Sequence, residues 1–394
     1  MHAVRSTRRA PRRSQGIGLV GGFLADVLFA DPRRLHPVAG FGALAARVEA
    51  ALYKPTRARG LIFTVVLVGL PAAAAALAGA IRHPAGIRHP LGIRHPLGIR
   101  HRAGAGHPDG IGRLSILALV TWASLGGCSL RRVATDLADQ IDAGDLDAAR
   151  AILPSLCGRD SHALDAIELC RAGLESVAEN TSDAVVGALL WGAIAGPGGV
   201  AAYRAANTLD AMVGHRTDRY RDFGWAPARL DDLLNWPASR LTAILTALGA
   251  PLVGGSPAAT WKSVRRFGAE HPSPNAGRVE AAFAGALNVG LGGRLSYAGV
   301  DELRPAIGHG PAPTTVDLRR ATRLSFAVGA LAAACAAPLA TLAAACAALL
   351  ATLAAACAAP LATLAAACTA SLAAAAAARP AGVSARAGGL GTGA

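Results

Sequence analysis

Three stretches of this sequence set carboxylates, amides and arginines at helical spacing. In Glu175-Ser-Val-Ala-Glu179-Asn180-Thr-Ser-Asp183 the acids fall at i, i+4 and i+8, so a helix would carry three carboxylates on one face. No Lys or Arg is interleaved, and like charges held together suit a divalent cation; ligands that are all oxygen suit Mg2+. Asn207 and Asp210 are i, i+3 neighbours just after an apolar segment, where ionisable groups are functional candidates. In Arg229-Leu-Asp231-Asp232-Leu-Leu-Asn235-Trp-Pro-Ala-Ser-Arg240, Asp231 and Asp232 each lie one turn from Asn235, and the flanking arginines could fork onto phosphate. Each stretch has a plainer alternative: a solvated helix end for the first, and helix caps at Asp210 and Asp231 for the others.

Two further stretches are less specific. His271-Pro-Ser273-Pro-Asn275-Ala-Gly277 precedes an Ala-rich helical run and could offer backbone N–H groups to an anion. Asp31-Pro-Arg-Arg-Leu-His36-Pro is a stiff, extended loop by its two X-Pro steps, and a lone His36 is more often structural. Other chemistries are excluded. The only lysines are Lys54 and Lys262, and no P-loop is present. The seven cysteines include no CxxC and no zinc spacing.

The elements that must position these groups are apolar helices. Hydrophobic residues make up 53% of the 394, charged residues 16% and aromatics only 4%, so the apolar content is Ala, Leu, Val and Gly, which suits close-packed membrane helices. The net charge of +14 comes mainly from the first 13 residues and a repeated loop; no basic stripe with aromatics appears, so nucleic-acid binding is not expected. Basic segments beside apolar spans fit cytoplasmic loops and anionic lipid. The expected spans are Leu61–Ile81, Ile111–Cys128, Ala184–Tyr203 (broken or re-entrant at Gly196-Pro197), the short Leu241–Gly255, and a tail from Leu324 to Ala378 long enough for two passes. The fold class is thus all-α: a multi-pass membrane protein of about five spanning helices with polar helical cytoplasmic loops. Ile17–Ala30 is short, interrupted by Asp26, and followed by no clean cleavage site, so it is read as retained.

The organisation follows from these spans. Residues 1–16 form a basic tail and 17–323 the main domain. Residues 81–104 are an insertion of Ile-Arg-His-Pro-x-Gly repeats, which proline bars from forming a regular helix. Residues 324–378 carry an 11-residue repeat starting at Leu331, Leu342, Leu353 and Leu364, with kinks expected at Pro338 and Pro360; 379–394 are expected to be disordered. Between Asp136 and Leu169 a polar helical segment has Asp145 and Ser161 as caps.

Several of these motifs occur together, in order, in one family. DPRRLHPVAGFG (from Asp31), GRD (from Gly158), ESVAENTSDAVV (from Glu175), YRAANTLDAMVGHR (from Tyr203), FGWAPARLDDLLNWPASRLTA (from Phe223) and HPSPNAGRVEAAFAGALNVGLGGRLSYAG (from His271) resemble the CobD/CbiB family, adenosylcobinamide-phosphate synthase. The resemblance runs from about Gly21 to Gly308. Departures include Ala30 where Gly is usual, His215 for Tyr, and Arg278 for a bulkier residue; none removes a candidate ligand.

The resemblance implies an enzyme, a carbon–nitrogen ligase of cobalamin (vitamin B12) biosynthesis. It would join aminopropanol, or its O-phosphate, to the f-side-chain propionate of adenosylcobyric acid, with ATP as co-substrate and Mg2+ as cofactor. Catalytic roles are expected for Glu175, Glu179, Asp183, Asp210, Asp231 and Asp232, with Glu179, Asp183, Asp210 and Asp232 as metal ligands. Substrate binding is expected of His36, Asn180, Arg204, Asn207, Arg229, Asn235, Arg240, Ser273 and Asn275. Localisation would be the cell membrane, with the active site facing the cytoplasm and room for association with other corrinoid-pathway enzymes. The rival readings are a membrane Mg2+-dependent prenyl- or phosphoalcohol-transferase, and a non-catalytic corrinoid-binding scaffold.

Overall fold

A computed structural model describes residues 10–30, 36–80, 108–215, 217–297, 300–343 and 345–346. The hexapeptide repeat, Asp31–Leu35, Pro360 and the repeats starting at Leu353 and Leu364 lie outside them. The chain divides into two units, Met1–Thr341, which holds the candidate site residues, and Leu342–Ala394.

The helices of the first unit are α1 (Ala10–Phe29), α2 (Pro37–Leu52), α3 (Arg57–Ala80), α4 (Pro108–Ser124), α5 (Gly127–Asp142), α6 (Leu146–Ile152), α7 (Ala166–Thr181), α8 (Gly187–Val213), α9 (Trp225–Gly249), α10 (Pro257–Phe267) and α11 (Ala276–Leu287). A closing helix, α12, spans Thr315–Ala343 and carries Pro338 in its interior. An antiparallel hairpin, β1 (Leu291–Tyr297) with β2 (Val300–Ile307), separates α11 from α12. This small addition to an all-helical fold went unread in the sequence because its first strand is broken by Gly292 and Gly293, both at positive φ.

Among the described residues, four helical runs are long and apolar enough to cross a membrane: Arg57–Ala80, Gly112–Asp142, Ala166–Val213 and Thr315–Ala343; α1 has a shorter apolar stretch, Gln15–Phe29. The expected span Leu241–Gly255 is not among them. It is the end of α9 followed by a 3-10 turn, Ala250–Val253, and the first half of α9 is too polar to extend it.

Local sequence explains the boundaries. Asp165 and Glu168 form a reciprocal capping box that starts α7, and Asp145 caps α6 by accepting the Ala148 N–H at 2.9 Å. Ser161, expected as a cap, instead accepts the Leu164 N–H at its carbonyl in a turn; Asp165, directly before Ala166, supplies the capping carboxylate. Asp26, the charge inside the apolar α1, is buried and accepts the Cys128 N–H at 3.1 Å, so it caps α5 from another helix.

The run Ala166–Val213 is the central element, and its apolar stretch is mostly enclosed by the other helices. At Gly196 the backbone adopts φ 66° and Pro197 follows, breaking α8 as its Gly-Pro pair suggested. The break would orphan carbonyls at membrane depth, but Gln15 Nε2 donates to the carbonyls of Gly192 (2.8 Å) and Ala193 (3.1 Å). Irregular backbone survives there because a neighbouring side chain satisfies it.

Ala30, where the resembling family usually has Gly, ends α1 with φ 54°. That left-handed region costs a Cβ-bearing residue about 1 kcal/mol or more. Ala30→Gly is therefore expected to stabilise the protein by about 1 kcal/mol in a detergent denaturation assay. No gain would mean that the Ala30 backbone relaxes out of this conformation.

Candidate active site

Two helices that meet side by side carry most of the candidate residues. Between α7 and α8 the chain forms one π-helical turn, Ser182–Val186, which puts Asp183 on a widened backbone turn of a kind common at functional sites. Opposite it, α9 presents Asp231 and Asn235 from its buried face. Asn207, on the returning part of α8, lies between them: its Nδ2 donates to Asp183 Oδ2 (3.4 Å) and to Asp231 Oδ1 (3.3 Å). Asn235 Nδ2 donates to the other oxygen of Asp231 at 2.9 Å, and the Tyr203 hydroxyl donates to Asn235 Oδ1 at 2.6 Å. Arg204 Nη1 donates to Asn207 Oδ1 at 3.2 Å and faces Asp183 electrostatically. Tyr203 is fully enclosed, and a Cβ at Gly187 would run into its ring and hydroxyl, so Gly187 is what lets the phenol reach Asn235.

Asp210 joins this group from the last turn of α8, within reach of Asp183, Asp231 and Asp232. Neither it nor Asp231 is a helix cap. Burial, then the Asp210 carboxylate, pushes Asp231 up to about 7, so it gives up its proton reluctantly. Asp232 points more outward, pairing with Arg229 at 3.3 Å, while its carbonyl accepts Asn275 Nδ2 at 2.9 Å. Four carboxylates from two helical runs, steered by asparagine amides, offer oxygen donors of the type a hard divalent cation takes, but among the described residues no three of them bring ligand atoms within 4.8 Å of one another. Asp183 sits in the π-helical turn, Asp210 in the last turn of α8, and Asp231 and Asp232 in the first turns of α9; Asp231 is buried, whereas the Asp232 side chain is 34% exposed.

The other two acids of the first motif go elsewhere. Glu175 is buried, ion-paired with Arg159, and accepts the Gly292 N–H of β1 at 2.6 Å, so it ties the hairpin to α7. Glu179 bonds the Glu280 side chain of α11. Burial, then the carboxylates of Glu179 and Glu175, holds Glu280 well above the usual carboxylate range. Ligand atoms of Glu179, His271 and Glu280 lie within 4.8 Å of one another. Nδ1 of His271 accepts the Ser273 N–H at 2.9 Å, while its Nε2 stands 2.8 Å from Arg304 Nη1 and 3.8 Å from Glu280 Oε1. We read this group as a polar lock joining α7, α11 and β2.

The remaining expected residues have local roles. His36 Nδ1 accepts the Val38 N–H at 3.2 Å and caps α2. Asn180 bonds back to Ser176 on its own helix. Ser273 Oγ accepts the N–H groups of Asn275 and Ala276, so the turn before α11 is capped by its own hydroxyl. Asn275 Oδ1 accepts from Ser239 Oγ and Arg240 Nη1, both at 3.2 Å. Reading the motifs by spacing missed Tyr203, Arg159, His271 and Glu280 as members of the network, although all stand inside the quoted motifs. Their available signal was a polar side chain set in an apolar helical or turn context. Arg304 had none, since its strand was not recognised.

Comparison with known proteins agrees with this arrangement of motifs. The family described as CobD/Cbib protein matches residues 19–325. A protein of Mycobacterium tuberculosis named "Cobalamin biosynthesis protein CobD" is 45% identical over 327 residues, covering 83% of this chain and 96% of its own. Proteins of the same name from Geobacter metallireducens (39% identical, 81% of this chain and 94% of that one) and Rhodobacter capsulatus (38%, 73% and 84%) are also similar. No solved structure matches the chain. With its motifs in order, its helical spans and relatives matched over most of their length, the chain belongs to the CobD/CbiB family.

Proposed function

We propose that this chain is a membrane enzyme of cobalamin biosynthesis that joins aminopropanol, or its O-phosphate, to the f-side-chain propionate of adenosylcobyric acid. The observation that carries the reading is the group of Asp183, Asp210, Asp231 and Asp232, in which Asn207 and Asn235 hold Asp183 and Asp231 beside Arg204. Such a set gathers negative charge that a proton or a bound cation relieves, and Asp231 within it is buried.

A carboxylate and an amine do not condense unaided at useful rates. In the proposed reaction a propionate oxygen takes the terminal phosphoryl group of ATP, releasing ADP. The amine nitrogen then attacks the acyl carbon, phosphate leaves, and the amine gives up its proton. Mg2+, held by Asp183, Asp210 and Asp232, would neutralise phosphate charge. Glu179, expected as a fourth ligand, gathers with His271 and Glu280, whose ligand atoms lie within 4.8 Å of its own. Asn207 and Asn235 fix the carboxylates by their N–H groups, Arg204 faces the phosphates, and Asp231 lies where an ammonium group would pair with it. In this reading the site opens to the cytoplasm of the cell membrane, where ATP is found.

Membranes containing the protein, given adenosylcobyric acid, ATP, Mg2+ and aminopropanol phosphate, are expected to yield the amide by mass together with ADP. Absence of both products from correctly inserted protein would overturn the reading. Consumption of a prenyl or CDP-alcohol donor instead would favour a transferase.

A further inference from the structure

The N-terminus of α11 places cationic groups against one another. Arg278 is the third residue of that helix, where a positive charge opposes the helix dipole, and the first turn holds no acidic residue. Arg240, on α9, lies within electrostatic reach of Arg278. Burial and that neighbouring guanidinium both lower the pKa of Arg240 from its ordinary value. The neighbouring acids are engaged elsewhere: Glu280, two residues after Arg278, with Glu179, and Asp232 with Arg229 at 3.3 Å. Arg278 Nε is buried with no hydrogen-bond partner among the described residues.

Arg240 is also oriented. Its guanidinium lies over the Trp236 ring, 4.2 Å from the centroid, and its Nη1 is used on Trp236 O, Ser239 Oγ and Asn275 Oδ1. That fixes one edge of the fork and leaves the other edge for a ligand. The same Asn275 donates to the Asp232 carbonyl at 2.9 Å, so the arginine pair adjoins the acidic cluster through one side chain. Two guanidinium groups beside one another at the start of α11 match a tetrahedral oxyanion that can take forked hydrogen bonds from both.

We infer that Arg240 and Arg278, beside the start of α11, form a phosphate-binding subsite at the edge of the acidic cluster, taking the phosphoryl group of a substrate. This rests on the proposed function for the substrate's identity but not for the anion chemistry. A phosphoryl group there would sit beside the metal-binding acids, so that the reacting end of the same molecule reaches Asp231.

The test uses the full chain purified in detergent, with inorganic phosphate as the probe in titration calorimetry. Arg240→Gln and Arg278→Gln are each expected to weaken phosphate binding by about tenfold or more, and the Lys variants, which keep charge but lose the fork, by less. In the amide assay each Gln variant should raise KM for the phosphorylated amine more than for the unphosphorylated one. Unchanged phosphate binding in both Gln variants, with the fold intact, would overturn the subsite even if amide is formed. Phosphate binding that depends on the pair without any amide product would uphold the subsite and remove the proposed reaction instead. Repeating the titration in nanodiscs with and without phosphatidylglycerol separates the sources. Loss of phosphate binding whenever that lipid is present would assign the pair to a lipid headgroup and overturn a substrate role.

Discussion

Asp183→Asn and Asp231→Asn are each expected to lower turnover by about 100-fold or more while the protein stays folded. Both replacements keep shape. Both remove a charge from a cluster in which Asn207 donates to the two carboxylates at 3.4 and 3.3 Å. The two should differ in rescue. Raised Mg2+ should partly restore Asp183→Asn, because that residue is a proposed metal ligand, and should not restore Asp231→Asn. The protonation of Asp231 adds a second readout in metal-free protein. Its folded pKa is raised to about 7, so the folded state holds a proton that the unfolded chain, near 3.8, has already lost. The stability from that proton is present below the unfolded value and disappears as pH rises through about 7. Wild type should therefore lose stability relative to Asp231→Asn across that window, measured by denaturation at several pH values without metal. Near-normal turnover in both variants would sink the proposed site.

The largest effect on stability should come from Arg159→Leu. Arg159 and Glu175 form an ion pair whose side chains are 6% and 2% exposed, so removing the arginine strands a carboxylate in the core. Breaking a buried pair from one side costs about 3–5 kcal/mol. Glu175 also accepts the Gly292 N–H, so its own removal would orphan a backbone donor and loosen the hairpin. The double replacement Arg159→Leu with Glu175→Gln takes away the uncompensated charge while keeping an acceptor for Gly292. It is expected to recover a good part of the loss. Denaturation in detergent would measure all three proteins. A single variant as stable as wild type would show that Glu175 takes up a proton at little cost.

Much of the architecture was legible from local sequence. Three apolar runs of bilayer length and the start of the tail appear as helices, since spanning a membrane demands consecutive apolar residues that composition reveals directly. The Gly196-Pro197 break was visible because those residues cannot continue a helix unaided. Asp145 as a cap was readable for the same local reason. By contrast, Leu241–Gly255 looked like a span only when cut from the polar half of α9 that precedes it.

The sequence by itself determined which residues carry charge on which helix face, and its ordered motifs placed the chain in its family. Periodicity set Glu175, Glu179 and Asp183 along one side of one helix. Only the tertiary structure decided that these three acids part company: Glu175 to Arg159 and Gly292, Glu179 to Glu280, and Asp183 to Asn207 beside Asp231. The physical reason is that a buried carboxylate must be satisfied by whatever donor or cation the neighbouring element brings. Those partners come from positions more than a hundred residues away in the case of Gly292 and Glu280, a relation that helical spacing does not encode.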